Sequence, residues 1–182
     1  MSKRRTQAER REATQASLLS AARRLFGERG YADTSLDDIA AECDLTVRPI
    51  YHYFENKLGL FKAVTEDLER ESVAKIQNHA APTTADIWAG FMRNCEDPHY
   101  RQILLVDAPA LLGRSRMTEG AISLAAREES AKVIGVNPDG ITMSLLFGAL
   151  SSAALYIAEN GASPQDYERI RSLIEFHSQT SS

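Results

Sequence analysis

Between Thr46 and Lys57 the chain sets Arg48, Tyr51, His52, Tyr53 and Lys57 close together, all of them side chains that pair with anionic or polar groups. A guanidinium is a planar fork that meets two acceptors at once, as on the O6 and N7 edge of guanine. Tyrosine, histidine and lysine suit phosphate oxygens, contacts that fix position and carry no sequence information directly. Thr46, Val47 and Pro49 are small or apolar enough to meet a thymine methyl group. This is a chemistry of recognition, centred on Arg48. Arrangements that do covalent chemistry are missing: there is no HExxH pair, phosphate-loop lysine, Gly-x-Ser-x-Gly elbow or Cys-x-x-Cys. No catalytic residue, metal or cofactor is expected. Each reading has a plainer rival: Arg48 on a phosphate or in solvent, Thr46 to Pro49 as the start of a helix, Tyr53 packed between helices, His52 idle on the surface.

The elements that must position these groups are helices. Glycine (10) and proline (6) are sparse and no alternating Val/Ile run is bounded by turn residues, so the chain reads as all-α. A first helix is expected from about Ala8 to a stop at Gly30. In Thr34-Ser35-Leu36-Asp37-Asp38 a hydroxyl precedes an acid by three, the pattern of a capping box, from either Thr34 or Ser35. Leu36, Ile39, Ala40 and Cys43 then form the apolar stripe of a helix only two turns long, which needs a partner to pack on. Asp44-Leu45-Thr46 is a turn, with Thr46 placed to N-cap the next helix and Pro49 in its first turn, where a missing N–H costs nothing. Ile50 and Phe54 face inward. Two short helices joined by a tight turn make a helix-turn-helix, whose second helix enters the major groove.

Asn56 is placed to cap a helix over 57–79, and residues 80–84 read as a linker. Further helices are expected at 84–95, 99–112, 115–134, 139–160 and 164–178. The division expected is 1–62 for DNA binding and 63–182 for a second helical domain. Charge follows that division. Residues 1–62 hold 11 Lys/Arg against 9 Asp/Glu, whereas 63–182 hold 10 against 16, within a total of -4. A basic end on an acidic body suits a protein that meets phosphate at one end. Arg4 and Arg5 could follow a minor groove as a flexible arm or be a solvated tail. Thr34 and Ser35 could meet a phosphate at a helix start. The two cysteines, Cys43 and Cys95, lack metal-ligand spacing, and a secretory leader is not apparent, so a reducing cytoplasm is expected. The apolar run near Ile141–Ala158 is interrupted by Thr142, Ser144, Gly148, Ser151 and Ser152, so no membrane span is expected.

The ordered run Leu19-Ser20-Ala21-Ala22-Arg23-Arg24-Leu25-Phe26, Gly30-Tyr31, Thr34-Ser35-Leu36, Asp38-Ile39-Ala40 and Tyr51-His52-Tyr53-Phe54 with Lys57 resembles the tetracycline-repressor-like (TetR) family of bacterial regulators. The likeness covers about residues 15–64, and Leu104–Gly113 is similar to a segment of some regulatory domains in that family. Two positions depart from it. Asp44 stands where the turn commonly has Gly, and the recognition helix opens Val47-Arg48-Pro49. Asp44 can adopt the left-handed conformation at modest cost.

The resemblance implies a homodimer on a double-stranded operator, with phosphate contacts from Tyr51, His52 and Lys57. It implies a small-molecule effector among the middle helices. Trp88, Phe91, Met92, Tyr100, Leu104, Met117, Met143 and Phe147 are the apolar lining available, with His99, Arg93, Asn94 and Asp107 as polar groups. Ordinary core packing is the alternative for most of these. The last two long helices, one rich in Gly, Ala and Ser, would pair across the dimer. Two other functions stay open: an architectural DNA binder, and a thiol sensor using Cys43 or Cys95.

Overall fold

The computed structural model describes residues 6–78, 84–113, 115, 119–134, 141–161, 163–166, 168–170 and 172. The fold is all-α, with no strand among the described residues. Helix α1 (Gln7–Arg29) opens on a reciprocal cap between Thr6 and Glu9 and stops at Gly30, where φ is 78° and the N–H donates to the Phe26 carbonyl. Helix α2 (Leu36–Glu42) opens on the same device: the Ser35 hydroxyl accepts from the Asp38 N–H, and the Asp38 carboxylate accepts from the Ser35 N–H. Thr34 plays a different part from the one expected. It is 1% exposed, and its hydroxyl donates to the carbonyls of Leu25 (3.1 Å) and Gly30 (2.8 Å), tying down the end of α1. So Ser35 alone caps α2, and Thr34 has no face left for a phosphate.

Asp44 takes the left-handed conformation, φ 54°, that the turn requires. Helix α3 (Arg48–Phe54) starts one residue later than Thr46 would cap it. Val47 is the capping position, no side chain caps the helix, and Pro49 sits in its first turn. Helix α4 (Lys57–Gln77) is capped by Asn56, whose side chain accepts from the Gly59 N–H. It runs unbroken through residues 62 and 63, so the expected division falls inside a helix.

Helix α5 (Thr84–Glu96) ends at a bend at Asp97, after which α6 (Pro98–Tyr100), a wide-turned segment π1 (Arg101–Asp107) and α7 (Ala108–Leu112) follow one another without interruption. The span expected as one regular helix is therefore helical but widened in its middle. In π1 the Ala108 N–H donates to the Ile103 carbonyl, five residues back. Pro109 follows at once; in a regular helix its ring would collide with the carbonyl four residues earlier, and wider turns remove that collision. The helix expected over 115–134 is broken by a bend at Gly120: residue 119 is helical, its N–H donating to the Ser115 carbonyl at 2.7 Å, and helix α8 (Ala121–Ile134) follows the bend. Helix α9 (Ile141–Asn160) matches its expected span closely. Beyond it residues 164–166, 168–170 and 172 are helical, opened by a cap between Ser163 and Asp166. Residues 80–83 of the expected linker lie outside the described residues. No described helix is long and apolar enough to cross a membrane.

One apolar cluster spans both halves of the chain. Leu18, Ala22, Leu25 and Phe26 of α1 meet Ile39, Ile50, Leu60, Phe61, Val64 and Leu68, and the same cluster continues into Cys95, Tyr100, Ile103, Leu104, Ala108 and Ala154. The rings of Phe26 and Phe61 lie within it and that of Tyr31 packs against it, with the three centroids 5.2–5.8 Å apart. Burying side chains of this size stabilises by about 1.5–3 kcal/mol each, which is what holds helices as short as α2 and α3 in place.

Candidate nucleic-acid interface

The seven residues of α3 are held from below and at the C-terminal end. Ile50 is fully buried, and Val47, Tyr53 and Phe54 pack partly against the core. Thr46, Arg48, Tyr51 and His52 are left exposed, Tyr51 by 55%, while Pro49 is half-buried. Val47 thus divides its surface between the core and the outer side. The His52 and Tyr53 rings lean on each other at 4.9 Å.

The C-terminal end of α3 is fixed by a corner that the sequence did not announce. Glu55 has φ 67° and ψ -47°, and the Asn56 N–H donates to the Phe54 carbonyl at 2.8 Å. That is a three-residue γ-turn of the positive-φ kind, a strained conformation for a residue with a side chain. Gly59 comes back against the same corner: a Cβ there would collide with the Phe54 carbonyl oxygen and lie 3.1 Å from its carbon. The angle between α3 and α4 therefore depends on Glu55 bending and on Gly59 having no side chain.

Charge at this end is distributed selectively. Arg23 pairs with Glu71 at 2.7 Å, and Arg24 pairs with both Glu28 (2.8 Å) and Glu42 (2.5 Å). Those two acids also raise the Arg24 guanidinium above its ordinary range, through hydrogen bonds first and charge second. Arg29 lies 4.0 Å from Asp38. Arg23, Arg24 and Arg29, three of the five arginines of α1, are thus spent within the fold. Among the described residues none pairs with Arg48, whose guanidinium projects from the exposed side of α3. Arg4 and Arg5 lie outside the described residues.

Lys57, at the first position of α4, is half-buried. Its ammonium donates to the Ala32 carbonyl (3.3 Å) and stands 4.3 Å from the centre of the Tyr31 ring. The lysine expected at a phosphate is therefore held against the corner between α1 and α2, next to the cap of α4.

Among the described residues, those expected around an effector fall in two places. Met92, Tyr100 and Leu104 are buried and Phe91 half-buried, packed beside α4 and α5. The Tyr100 hydroxyl lies 3.4 Å from Ser72 Oγ, and burial pushes its phenol above the ordinary range. His99 instead packs against α1: a Cβ at Gly27 would collide with its side chain. Asp107 also faces α1, accepting the Tyr31 N–H at 2.9 Å and the Gln102 amide at 3.1 Å on the same oxygen, Oδ2. Met117 lies outside the described residues, as do the side chains of Trp88, Met143 and Phe147. The roles missed from sequence were those of Glu55, Gly59 and Gly27. A glycine inside a helical run was the one signal available for the latter two.

Of the two cysteines, Cys95 is fully buried, and burial pushes its thiol up to about 12. Cys43 is half-buried and points its sulfur at the Ser17 carbonyl at 3.5 Å. Among the described residues no cluster of His, Cys, Asp and Glu is fit to hold a metal ion.

Comparison with known proteins agrees with this geometry at both ends of the chain. Residues 18–64 match the model for bacterial regulatory proteins of the tetR family, and residues 83–176 match the tetracyclin repressor-like C-terminal domain. A crystal structure of a TetR-family transcriptional regulator from Pectobacterium atrosepticum is 32% identical, with 95% of each chain covered and a TM-score of 0.68. The HTH-type transcriptional regulator TtgR of Pseudomonas putida is 43% identical over 65 residues, 36% of this chain and 30% of the relative. The Transposon Tn10 TetC protein of Escherichia coli is 40% identical over 57 residues, 31% of this chain and 29% of the relative. The match to these two curated relatives thus spans under a third of their length.

Proposed function

Because this chain belongs to the TetR family of transcriptional regulators, we propose that it is a ligand-responsive repressor acting as a homodimer on a near-palindromic operator. The observation that carries this reading is Arg48: an arginine without an acidic partner on the exposed side of a helix buried at Ile50 and fixed at its C-terminal end. A guanidinium so placed reads a guanine edge, with Thr46 and the outer side of Val47 and Pro49 against neighbouring bases. Tyr51, His52 and the start of α4 at Lys57 lie to either side, where the sugar-phosphate backbone would run. Ser35, exposed at the start of α2, can still reach a phosphate.

Dimerisation is assigned to α9 and the helix after it. Helix α9 is two-sided: Leu150, Ala154 and Ile157 are buried in the chain's own core, while Ala149, Ser152 and Tyr156 lie outward, Tyr156 by 59%. Exposed small residues beside an aromatic let two helices approach closely. Two such protomers would present their α3 helices to successive turns of the major groove. An effector that binds better to the geometry unfit for DNA would then release the operator, because a ligand shifts an equilibrium by its differential affinity alone. The protein would work in the bacterial cytoplasm, on the nucleoid when bound.

The test is selection of operators from random duplexes by the purified protein. The expected product is an inverted repeat bound at least about 10³-fold tighter than random DNA at fixed salt. Equal binding to all duplexes would instead make the chain an architectural DNA binder. Compounds that raise the melting temperature are then titrated against the operator complex. Release is expected, with DNA weakening the compound by the same factor as the compound weakens DNA.

A further inference from the structure

Three contacts in a row join π1 and α6 to the end of α1. His99 sits on Gly27, the Gln102 amide lies 3.1 Å from where a Cβ of Gly30 would be, and Asp107 Oδ2 accepts the Tyr31 N–H at 2.9 Å. Residue 31 is where this seam meets the DNA-facing end. Its N–H points to Asp107, while its ring stacks on Phe26 and carries the Lys57 ammonium at 4.3 Å. The adjacent Ala32 carbonyl holds the same ammonium at 3.3 Å. So both groups that place Lys57 belong to a corner whose N–H is held by a carboxylate 76 residues away.

We propose that Asp107 is a positioning residue for DNA binding: through the Tyr31 N–H it fixes the corner that holds the Lys57 ammonium, so that π1 governs the placement of a phosphate-facing charge. The inference rests on the DNA-binding reading of α3 and of the start of α4, and is independent of any effector. An ammonium held by a ring face and a carbonyl keeps one position beside the cap of α4. With the corner released, the side chain is a solvated tether that neutralises no particular phosphate. Gln102 contributes by donating to the oxygen that Tyr31 uses, which sets the orientation of the carboxylate.

The test is the salt dependence of binding to a random-sequence duplex, measured for the full chain and its variants. Each phosphate neutralised contributes about 0.9 to the slope of log affinity against log salt. Lys57→Ala is expected to lower the slope by about 0.9. Asp107→Ala is expected to lower it by the same amount, and the double variant by no more than either. Asp107→Asn, which keeps an acceptor oxygen for Tyr31, is expected to restore the wild-type slope. A structural defect alone would reduce the active fraction and leave the slope intact. Should Asp107→Ala fold poorly, Gln102→Ala is expected to move the slope toward that of Lys57→Ala. An unchanged slope in Asp107→Ala or Gln102→Ala, or additive losses in the double variant, would overturn the proposal. A wild-type chain that binds no duplex would overturn the DNA-binding reading instead.

Discussion

Replacing Gly59 by alanine sets two effects of opposite sign against each other, and the α3–α4 corner decides between them. In an open helix the exchange stabilises by about 0.5–1 kcal/mol, because glycine loses more backbone freedom on folding. Gly59 is in the first turn of α4, and a Cβ there would meet the Phe54 carbonyl, with its carbon at 3.1 Å and Asn56 Oδ1 at 3.8 Å. Neither carbonyl atom can swing aside as a side chain would. The Phe54 carbonyl is held by the Asn56 N–H at 2.8 Å across a γ-turn already strained at Glu55, so relief requires moving the corner. Overpacking of this sort costs about 1–3 kcal/mol. The net expectation is a loss of about 1–2 kcal/mol, or a few degrees of melting temperature for a domain of this size. Denaturant titration of Gly59→Ala beside Gly90→Ala makes the comparison. Gly90 is also helical, and among the described residues its nearest neighbour is the tip of the Arg93 side chain at 3.8 Å, so alanine there is expected to stabilise. DNA affinity should fall with Gly59→Ala and hold with Gly90→Ala, since only the first turns α3. If both variants were stabilised alike, the account of the corner would be wrong.

Arg48→Ala is expected to cost about 1–3 kcal/mol of operator affinity and to relax specificity at one base pair. Equal weakening on every sequence would reassign Arg48 to a phosphate. In thiol labelling of the native chain near neutral pH, Cys43 is expected to react well before Cys95, whose thiol is held up to about 12 by burial. DNA binding that survives peroxide unchanged would exclude a thiol sensor. The Ser35 hydroxyl and N–H hold the Asp38 carboxyl below the ordinary aspartate range, with Arg29 adding a smaller pull. A depressed carboxylate contributes stability above its unfolded pKa and loses it as pH falls through the folded value. The melting difference between wild type and Asp38→Asn should therefore be present at neutral pH and vanish on acidification; a pH-independent difference would remove the cap from the explanation.

What the sequence made legible was local. Ser35 and Asn56 cap the helices expected of them, Gly30 stops α1, and Asp44 turns left-handed, because each is decided by groups within four residues. Thr34 and Ser35 looked interchangeable because spacing cannot tell which hydroxyl is buried; the end of α1 decided it. Glu55 gave no signal, since strain at a non-glycine residue is imposed by the helices on either side. Asp107 was placed with an effector as a carboxylate among apolar neighbours. Its partner is a backbone N–H 76 residues away, a pairing no pattern in one chain contains. Arg23 and Arg24 showed as part of a basic face, whereas Glu71 and Glu42 reach them from other helices.

The wide turns of π1 also bear on how this segment tolerates changes in chain length. An α-helix turns by about 100° per residue, so inserting or deleting one residue rotates everything beyond it by that angle and carries buried faces into solvent. A helix with bonds five residues back already holds the surplus of an insertion, with the axis running on through Leu112. Between Arg101 and Asp107 a residue taken out by tightening to an ordinary turn would leave the phase of α7 nearly as it was, but would bring the Pro109 ring back onto the carbonyl four residues earlier. The bearing of the residues inside the bulge would change as well. The surplus residue is thus tied to the proline that follows it, and a shortening that keeps α7 in phase is expected to be tolerated only when Pro109 is replaced as well.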